Sequence, residues 1–211
     1  MMRKTQRTDR TRQLERAHNV SLERLTRAAE YRDVATGRHA RRVGAMAGAV
    51  ARAYGLDDDS VTLVERAAPL HDIGKIGIPH AILYKPGRHN DLERDIMAEH
   101  TVIGHRILGG SAVPLLTVAA DIARTHHERW DGRGRLGLVG ERIPLAARIV
   151  CVADAFDALT SERAYKSAWS TTAAVDELQR EAGLQFDPAV VAAMMAVTRD
   201  DKMRARLKRV G

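Results

Sequence analysis

The 211-residue sequence predicts an all-α bundle of seven or more helices. Three observations predict it. Aromatic residues make up only 4% while Ala, Arg and Leu abound, which favours helices over a sheet-based core. Apolar residues recur at steps of three and four in one segment after another. Glycines, prolines and capping residues separate those segments at helix-like lengths. With 45% apolar and 29% charged residues the composition is that of a globular protein, and the length suits one domain better than two.

Taken in order, residues 1–20 form a basic tail or linker helix, 21–200 the domain, and 201–211 a basic C-terminal tail. Leu14, Leu22, Leu25 and Ala29 begin a helical repeat that suits a docking helix, a homodimer contact or a link to a sensor. A helix over 36–54 stops at Gly55. The next follows the cap Asp57-Asp58-Asp59-Ser60 and reaches Asp72. A loop rich in glycine and proline covers 74–87. Asn90 with Glu93 makes a capping-box start for a helix to about residue 108. Further helices cover 114–127, 144–159, 171–182 and 188–197, and the four glycines between Asp131 and Gly140 make that stretch a loop.

The formal charge of +7 raises the question of a nucleic acid polymer. The excess lies largely in 3–16 and 202–209 without interleaved aromatics, so a positive field around a small anionic substrate is the expected use. No apolar run approaches membrane-spanning length, and no signal-like apolar stretch follows the basic N-terminus. The single cysteine, Cys151, reads as a small buried hydrophobe, which fits a reducing cytoplasm.

The apolar stripes themselves carry metal-competent side chains. They read His39, Val43, Met46, Val50; then Val61, Val64, Ala68, His71; then Leu92, Ile96, His100, Ile103, Ile107. The next two read Leu115, Ala119, Ile122, His126 and Ile143, Ala147, Val150, Asp154. One such histidine is usually a hydrogen-bonded core residue. Five together would each cost a few kcal/mol to bury, and a bound cation is the simplest shared partner. Asp72 and His127, beside His71 and His126, add two more candidates. Imidazole and carboxylate without thiolate suit Fe, Mn, Ni, Co or Zn. Seven candidates exceed the needs of one tetrahedral zinc, so two metals bridged by a carboxylate are expected. Lys75, Arg163 and Lys166 lie close in sequence to these positions and suit a phosphate ester; for Arg163 and Lys166 a solvated surface pair is the other reading.

The run His71-Asp72-Ile73-Gly74-Lys75-Ile76-Gly77-Ile78-Pro79 resembles the HD signature of the HD-GYP family of cyclic-di-GMP phosphodiesterases. Thr36-Gly37-Arg38-His39, Lys85-Pro86-Gly87, His100-Thr101-Val102-Ile103-Gly104 and His126-His127-Glu128 follow in the family's order. So do Asp131-Gly132, Ile143-Pro144-Leu145-Ala146, Asp154-Ala155-Phe156-Asp157-Ala158-Leu159-Thr160-Ser161 and Phe186-Asp187-Pro188. The resemblance implies an HD-type helical bundle in which His39, His71, Asp72 and Asp154 hold one metal. Asp72 as bridge with His100, His126 and His127 would hold the other, with Fe or Mn foremost. It implies that Asp72 and Lys75 act at the attacked phosphate and that Arg163 and Lys166 bind guanylate phosphates. The implied reaction is hydrolysis of a cyclic dinucleotide to linear pGpG, with GMP as a further product, and the implied partners are GGDEF-type or sensor proteins.

Two departures stand out. The Gly-Tyr-Pro triplet is absent, since Asp131-Gly132-Arg133-Gly134 runs into Arg135-Leu136-Gly137-Leu138, one residue short of the family's pattern. The position four before His39, often a carboxylate in the family, is Ala35. His80 matches the histidine some members use for a third metal; with Ala35 in place of the carboxylate, two metals are expected, and a plain loop role is the other reading of His80. His18, His89 and His105 read as surface or structural, and Trp130 and Trp169 as packing residues. An HD hydrolase of another nucleotide, or a catalytically inactive binding module, are the competing functions.

Overall fold

The computed structural model describes residues 36–162 and 167–200. The tails at 1–20 and 201–211, the repeat from Leu14 to Ala29, and Arg163 and Lys166 lie outside the described residues. The described part is helical, with two isolated bridges, Asp131 to Val139 and Ala182 to Phe186, and no longer strand among the described residues.

Helix α1 (Thr36–Tyr54) ends on Gly55 at φ 102°. The Leu56 amide reaches the Ala51 carbonyl and the Gly55 amide that of Arg52, the paired bonds that close a helix on a left-handed residue. Asp57 then caps α2 (Asp58–Ala67), accepting from the Ser60 amide at 2.8 Å. The expected run of this helix to Asp72 is corrected: the α-helix stops at Ala67 and a 3-10 turn, Ala68–Leu70, follows. Pro69 has no amide hydrogen to continue the ladder, and the tighter turn carries His71 and Asp72 to the centre of the molecule.

The expected loop at 74–87 contains a second 3-10 turn, Ile73–Gly77, and the short helix α3 (His80–Leu83). Gly74 has no alternative residue. A Cβ there would fall 1.9 Å from the His100 carbonyl oxygen, so the turn presses directly onto the helix behind it.

The capping box forms as expected at α4 (Asp91–Ala98), with the Glu93 amide on Asn90 and the Asn90 amide on Glu93. The single helix expected to residue 108 is two. The chain breaks at Glu99 and resumes as α5 (His100–Leu108). The Glu99 amide bonds to Ile96 rather than one residue further back, and side chains take the freed carbonyls: Arg135 that of Asp95, His100 that of Met97, Thr101 that of Ala98. The break also corrects the stripe. Leu92 and Ile107 are 69% and 45% exposed, and the buried face reads His100, Thr101, Gly104, Leu108. Small residues are required there because α5 packs on Gly74.

Helices α6 (Pro114–Thr125), α7 (Leu145–Thr160), α8 (Thr171–Arg180) and α9 (Pro188–Arg199) complete the bundle, with a 3-10 turn, Gly140–Arg142, before α7. Helix α1 packs against α2, α7 and α9, and α5 lies against α6. The core is built of alanine and small branched residues: Ala47, Ala51, Ala119, Ala123, Ala147 and Ala153 are fully buried among Val43, Val50, Ile122, Ile149, Val190 and Met194. Alanine lets helix axes approach closely, and each buried Val or Ile contributes roughly 1.5–3 kcal/mol. Among the described residues no helix is long and apolar enough to cross a membrane.

Candidate metal centre

Five elements deliver the candidate ligands to one place. His39 comes from the first turns of α1, His71 and Asp72 from the 3-10 turn after α2, and His100 from the start of α5. His126 and His127 follow the end of α6, and Asp154 sits on α7. Ligand atoms of Asp72, His100, His126 and His127 lie within 4.8 Å of one another, as do those of His39, His71 and Asp72. Asp72 belongs to both groups. One of its carboxylate oxygens is 3.2 Å from His71 Nε2; the other is 3.4 Å from His100 Nε2 and 3.9 Å from His126 Nε2. His39 Nε2 is 3.3 Å from Asp154 Oδ1, which attaches the seventh candidate to the first group.

The state of the imidazole nitrogens tests whether these residues fit a metal. His71, His100 and His126 each donate Nδ1–H to a carbonyl of the preceding turn, at Ala68 (2.9 Å), Met97 (2.7 Å) and Ile122 (3.0 Å). Their Nε2 atoms are buried without any hydrogen-bond partner. A neutral imidazole with Nδ1–H engaged presents a lone pair at Nε2, and three such lone pairs converging on one carboxylate are what a cation requires. Left unmet, each would be a buried polar atom costing about 1–3 kcal/mol. The residues fit a divalent cation.

The electrostatics divide the cluster. Burial drives the His126 pKa well below its ordinary value, lowers that of His100, and brings His127 to about 4. His127 shows one face to solvent, while its ring lies 3.9 Å from that of His126. Burial also disfavours charge on His39, yet hydrogen bonds and charges from Asp154 and Asp157 outweigh it and raise the pKa to about 9. His71 is likewise raised, burial being outweighed by Asp72 and Asp154. Burial opposes ionisation of Asp72, but His71, Lys75 and His126 hold its carboxyl well below the usual range. Lys75 Nζ donates to Asp72 Oδ2 at 2.7 Å.

His80 is exposed on α3, its ring 4.4 Å from that of Tyr84, and joins neither group among the described residues. His89 and His105 bond to backbone carbonyls of Ile82 and Ala120, as structural histidines do; His18 lies outside the described residues. Trp130 packs beneath Arg148, whose guanidinium carbon is 5.5 Å from the ring centre, and Trp169 is partly exposed. Burial pushes the Cys151 thiol up to about 12, so it stays protonated.

Three residues near the centre carry roles the sequence reading did not assign. Asp157 is buried and bonds His39 Nδ1 at 2.7 Å; Arg42 grips Asp157 with two nitrogens. The spacing was available, since His39 and Arg42 stand three apart on α1 and Asp154 and Asp157 three apart on α7. Glu128, next to His127, buries its carboxylate and accepts from the Leu136 and Leu138 amides, pinning the shortened loop. Arg135 then bonds Glu99 at 2.7 Å, beside His100.

A family model described as HD domain matches residues 23–190. The cyclic di-GMP phosphodiesterase response regulator RpfG of Xanthomonas campestris pv. campestris is 48% identical over 184 residues, 87% of this chain and 49% of that protein. The 3'3'-cGAMP-specific phosphodiesterase 2 of Vibrio cholerae is 42% identical over 168 residues, 79% of this chain and 32% of that protein. The chain thus spans about half the length of the first of these relatives, or less for the second. Among solved structures, a cyclic GMP-AMP specific phosphodiesterase of V. cholerae (V-cGAP3) superimposes with a TM-score of 0.67 over 91% of this chain and 52% of that one. At 19% identity that likeness concerns the fold.

Proposed function

Because the chain belongs to the HD domain family, we propose that it is a metal-dependent phosphodiesterase that hydrolyses cyclic-di-GMP to linear pGpG. The observation that carries this reading is the set of three buried, partnerless Nε2 atoms around the Asp72 carboxylate. The name and 48% identity of the Xanthomonas relative support the substrate.

In this reading His39, His71, Asp72 and Asp154 hold one divalent cation, and Asp72, His100, His126 and His127 the other, with Fe or Mn foremost and Ni, Co or Zn as alternatives. When bound, the pair supplies an acidified water and Lewis acidity toward phosphoryl oxygens. The chain's own residues do the rest. Asp72 offers one oxygen to each half of the cluster, so a single carboxylate sets the separation of the two halves. Lys75, held by Asp72 Oδ2, carries a positive charge to the phosphate under attack, where it offsets the charge that develops on the phosphoryl oxygens. The backbone-bonded histidines keep their orientation before substrate arrives, which lowers the reorganisation needed in the transition state. Arg163 and Lys166, from the sequence pattern, bind the guanylate phosphates. A cytoplasmic setting accords with the single, protonated thiol of Cys151, and a sensor or GGDEF-type partner and a dimer through the N-terminal helix belong to the same proposal.

A second reading is a mixed cyclic dinucleotide, favoured by the 42% identity to the 3'3'-cGAMP-specific relative and by the replaced triplet at Arg135-Leu136-Gly137. A catalytically inactive binding module is disfavoured by the completeness of the ligand set. The test is hydrolysis of cyclic-di-GMP and 3'3'-cGAMP, side by side, by protein prepared anaerobically with Mn or Fe. Cyclic-di-GMP should be the faster substrate, with Asp72→Ala reducing turnover on the order of 10³-fold or more. A metal-replete protein inert toward every cyclic dinucleotide would sink the proposal.

A further inference from the structure

His71, His100 and His126 take their orientation from backbone carbonyls of their own helical turns. His39 does not share this arrangement: its Nδ1 faces the side chain of Asp157, on a different helix, at 2.7 Å. Asp157 is buried, and such a carboxylate persists only if its charge and lone pairs are met. Arg42 meets them, with Nε on Oδ1 at 2.6 Å and Nη2 on Oδ2 at 2.9 Å. The same Nη2 donates to Ser161 Oγ at 3.0 Å, so the guanidinium is anchored at the end of α7 as well. A carboxylate gripped in this two-pronged way has little freedom to turn.

We infer that Asp157, clamped by Arg42, is the positioning residue of the His39 half of the centre. It holds the Nδ1–H tautomer and aims Nε2 at the space shared with Asp154 and His71. The inference rests on the reading of the cluster as a two-metal site. Without Asp157 the His39 ring has no carboxylate on Nδ1 to select its tautomer or to strengthen Nε2 as a donor, and a partner of this kind sets metal affinity at about the 10–100-fold level. Neither residue touches the candidate ligands His100, His126 or His127 through any hydrogen bond described above, so the effect should be confined to one half.

The experiment is equilibrium binding of Mn²⁺, by competition with a chelating dye, to the full chain carrying Asp157→Ala, Asp157→Asn or Arg42→Lys. Helical circular dichroism serves as the check on folding. Asp157→Ala should weaken one of the two metals about 10–100-fold and leave the other within a few-fold of wild type. Asp157→Asn should fall between Ala and wild type, because an amide oxygen still accepts from Nδ1–H while the amide NH2 faces the Arg42 Nε–H. Arg42→Lys keeps the charge but loses the fork, and should weaken the same metal several-fold; it decides the matter should Asp157→Ala not fold. Both metals bound at wild-type affinity by folded Asp157→Ala, an Asn variant no better than Ala, or Arg42→Lys without effect would overturn the inference. A wild-type chain that binds no metal would instead overturn the reading of the centre, so the two failures are distinguishable.

Discussion

The two halves of the cluster shift the pKa values of their histidines in opposite directions. Around His100, His126 and His127 there are three imidazoles and one carboxylate, Asp72, and burial keeps the rings neutral. Around His39 and His71 there are two imidazoles and three carboxylates, Asp72, Asp154 and Asp157, which raise the pKa of His39 to about 9 and shift that of His71 upward. A cation reaching the first half meets lone pairs already free, whereas at the second it competes with the proton on His39. The count of carboxylates per imidazole separates the two halves, and Asp72 is the residue that belongs to both.

That contrast can be broken most directly by removing a ligand from each half. His126→Ala should abolish the metal of the neutral half and reduce turnover on the order of 10³-fold. His39→Ala should lose the metal of the other half and leave the first bound. Metal analysis by mass spectrometry of both variants checks this, and two metals retained in either variant would contradict the assignment of that histidine.

A smaller effect concerns the metal-free protein, whose stability should fall on both sides of neutrality. His126 and His127 have depressed values, so the unfolded chain binds more protons than the folded one below about pH 6.5. Their contribution is complete above that value and is lost as pH falls toward 4, the value for His127. His39 has a raised value, so its contribution is complete below about pH 6.5 and is lost as pH rises through about 9. Within its own window each of these protons contributes a slope of up to about 1.4 kcal/mol per pH unit, less for the solvent-exposed His127. Urea midpoints of chelator-treated protein across that range measure it. A flat alkaline limb would mean that Asp154 and Asp157 do not hold a proton on His39.

Much of this organisation is legible in the sequence, and the exceptions have physical causes. Four of the five stripes are buried apart from the half-buried Asp154, and where they lie on α-helix the 3.6-residue period accounts for it, since a helix face is a local property. The stripe through Leu92 and Ile107 fails because the period says nothing of a break. At the break at Glu99 a distant side chain, Arg135, takes the Asp95 carbonyl, and Gly74 seats tightly on His100. His100 still reaches the centre because its position at the restart of α5 is fixed by that seat. The seven candidate ligands are separated in sequence by up to 115 residues, yet six fall into the two clusters around Asp72 and the seventh, Asp154, lies against His39. Asp157, Arg42 and Glu128 escaped assignment for a different reason. Their partners are a ring nitrogen, a carboxylate and loop amides, which no periodicity signals and only the packing of α1 on α7 and of the loop on Glu128 brings together.

The most direct test of the two-metal centre is an anaerobic titration of metal-free protein with Mn²⁺, with pGpG formation from cyclic-di-GMP followed at each addition. The first equivalent should fill the neutral half and leave hydrolysis close to background, and activity should rise with the second equivalent and level off there. Activity that saturates at one equivalent, or stays absent with two metals bound, would contradict a centre that works only when Asp72 joins both halves.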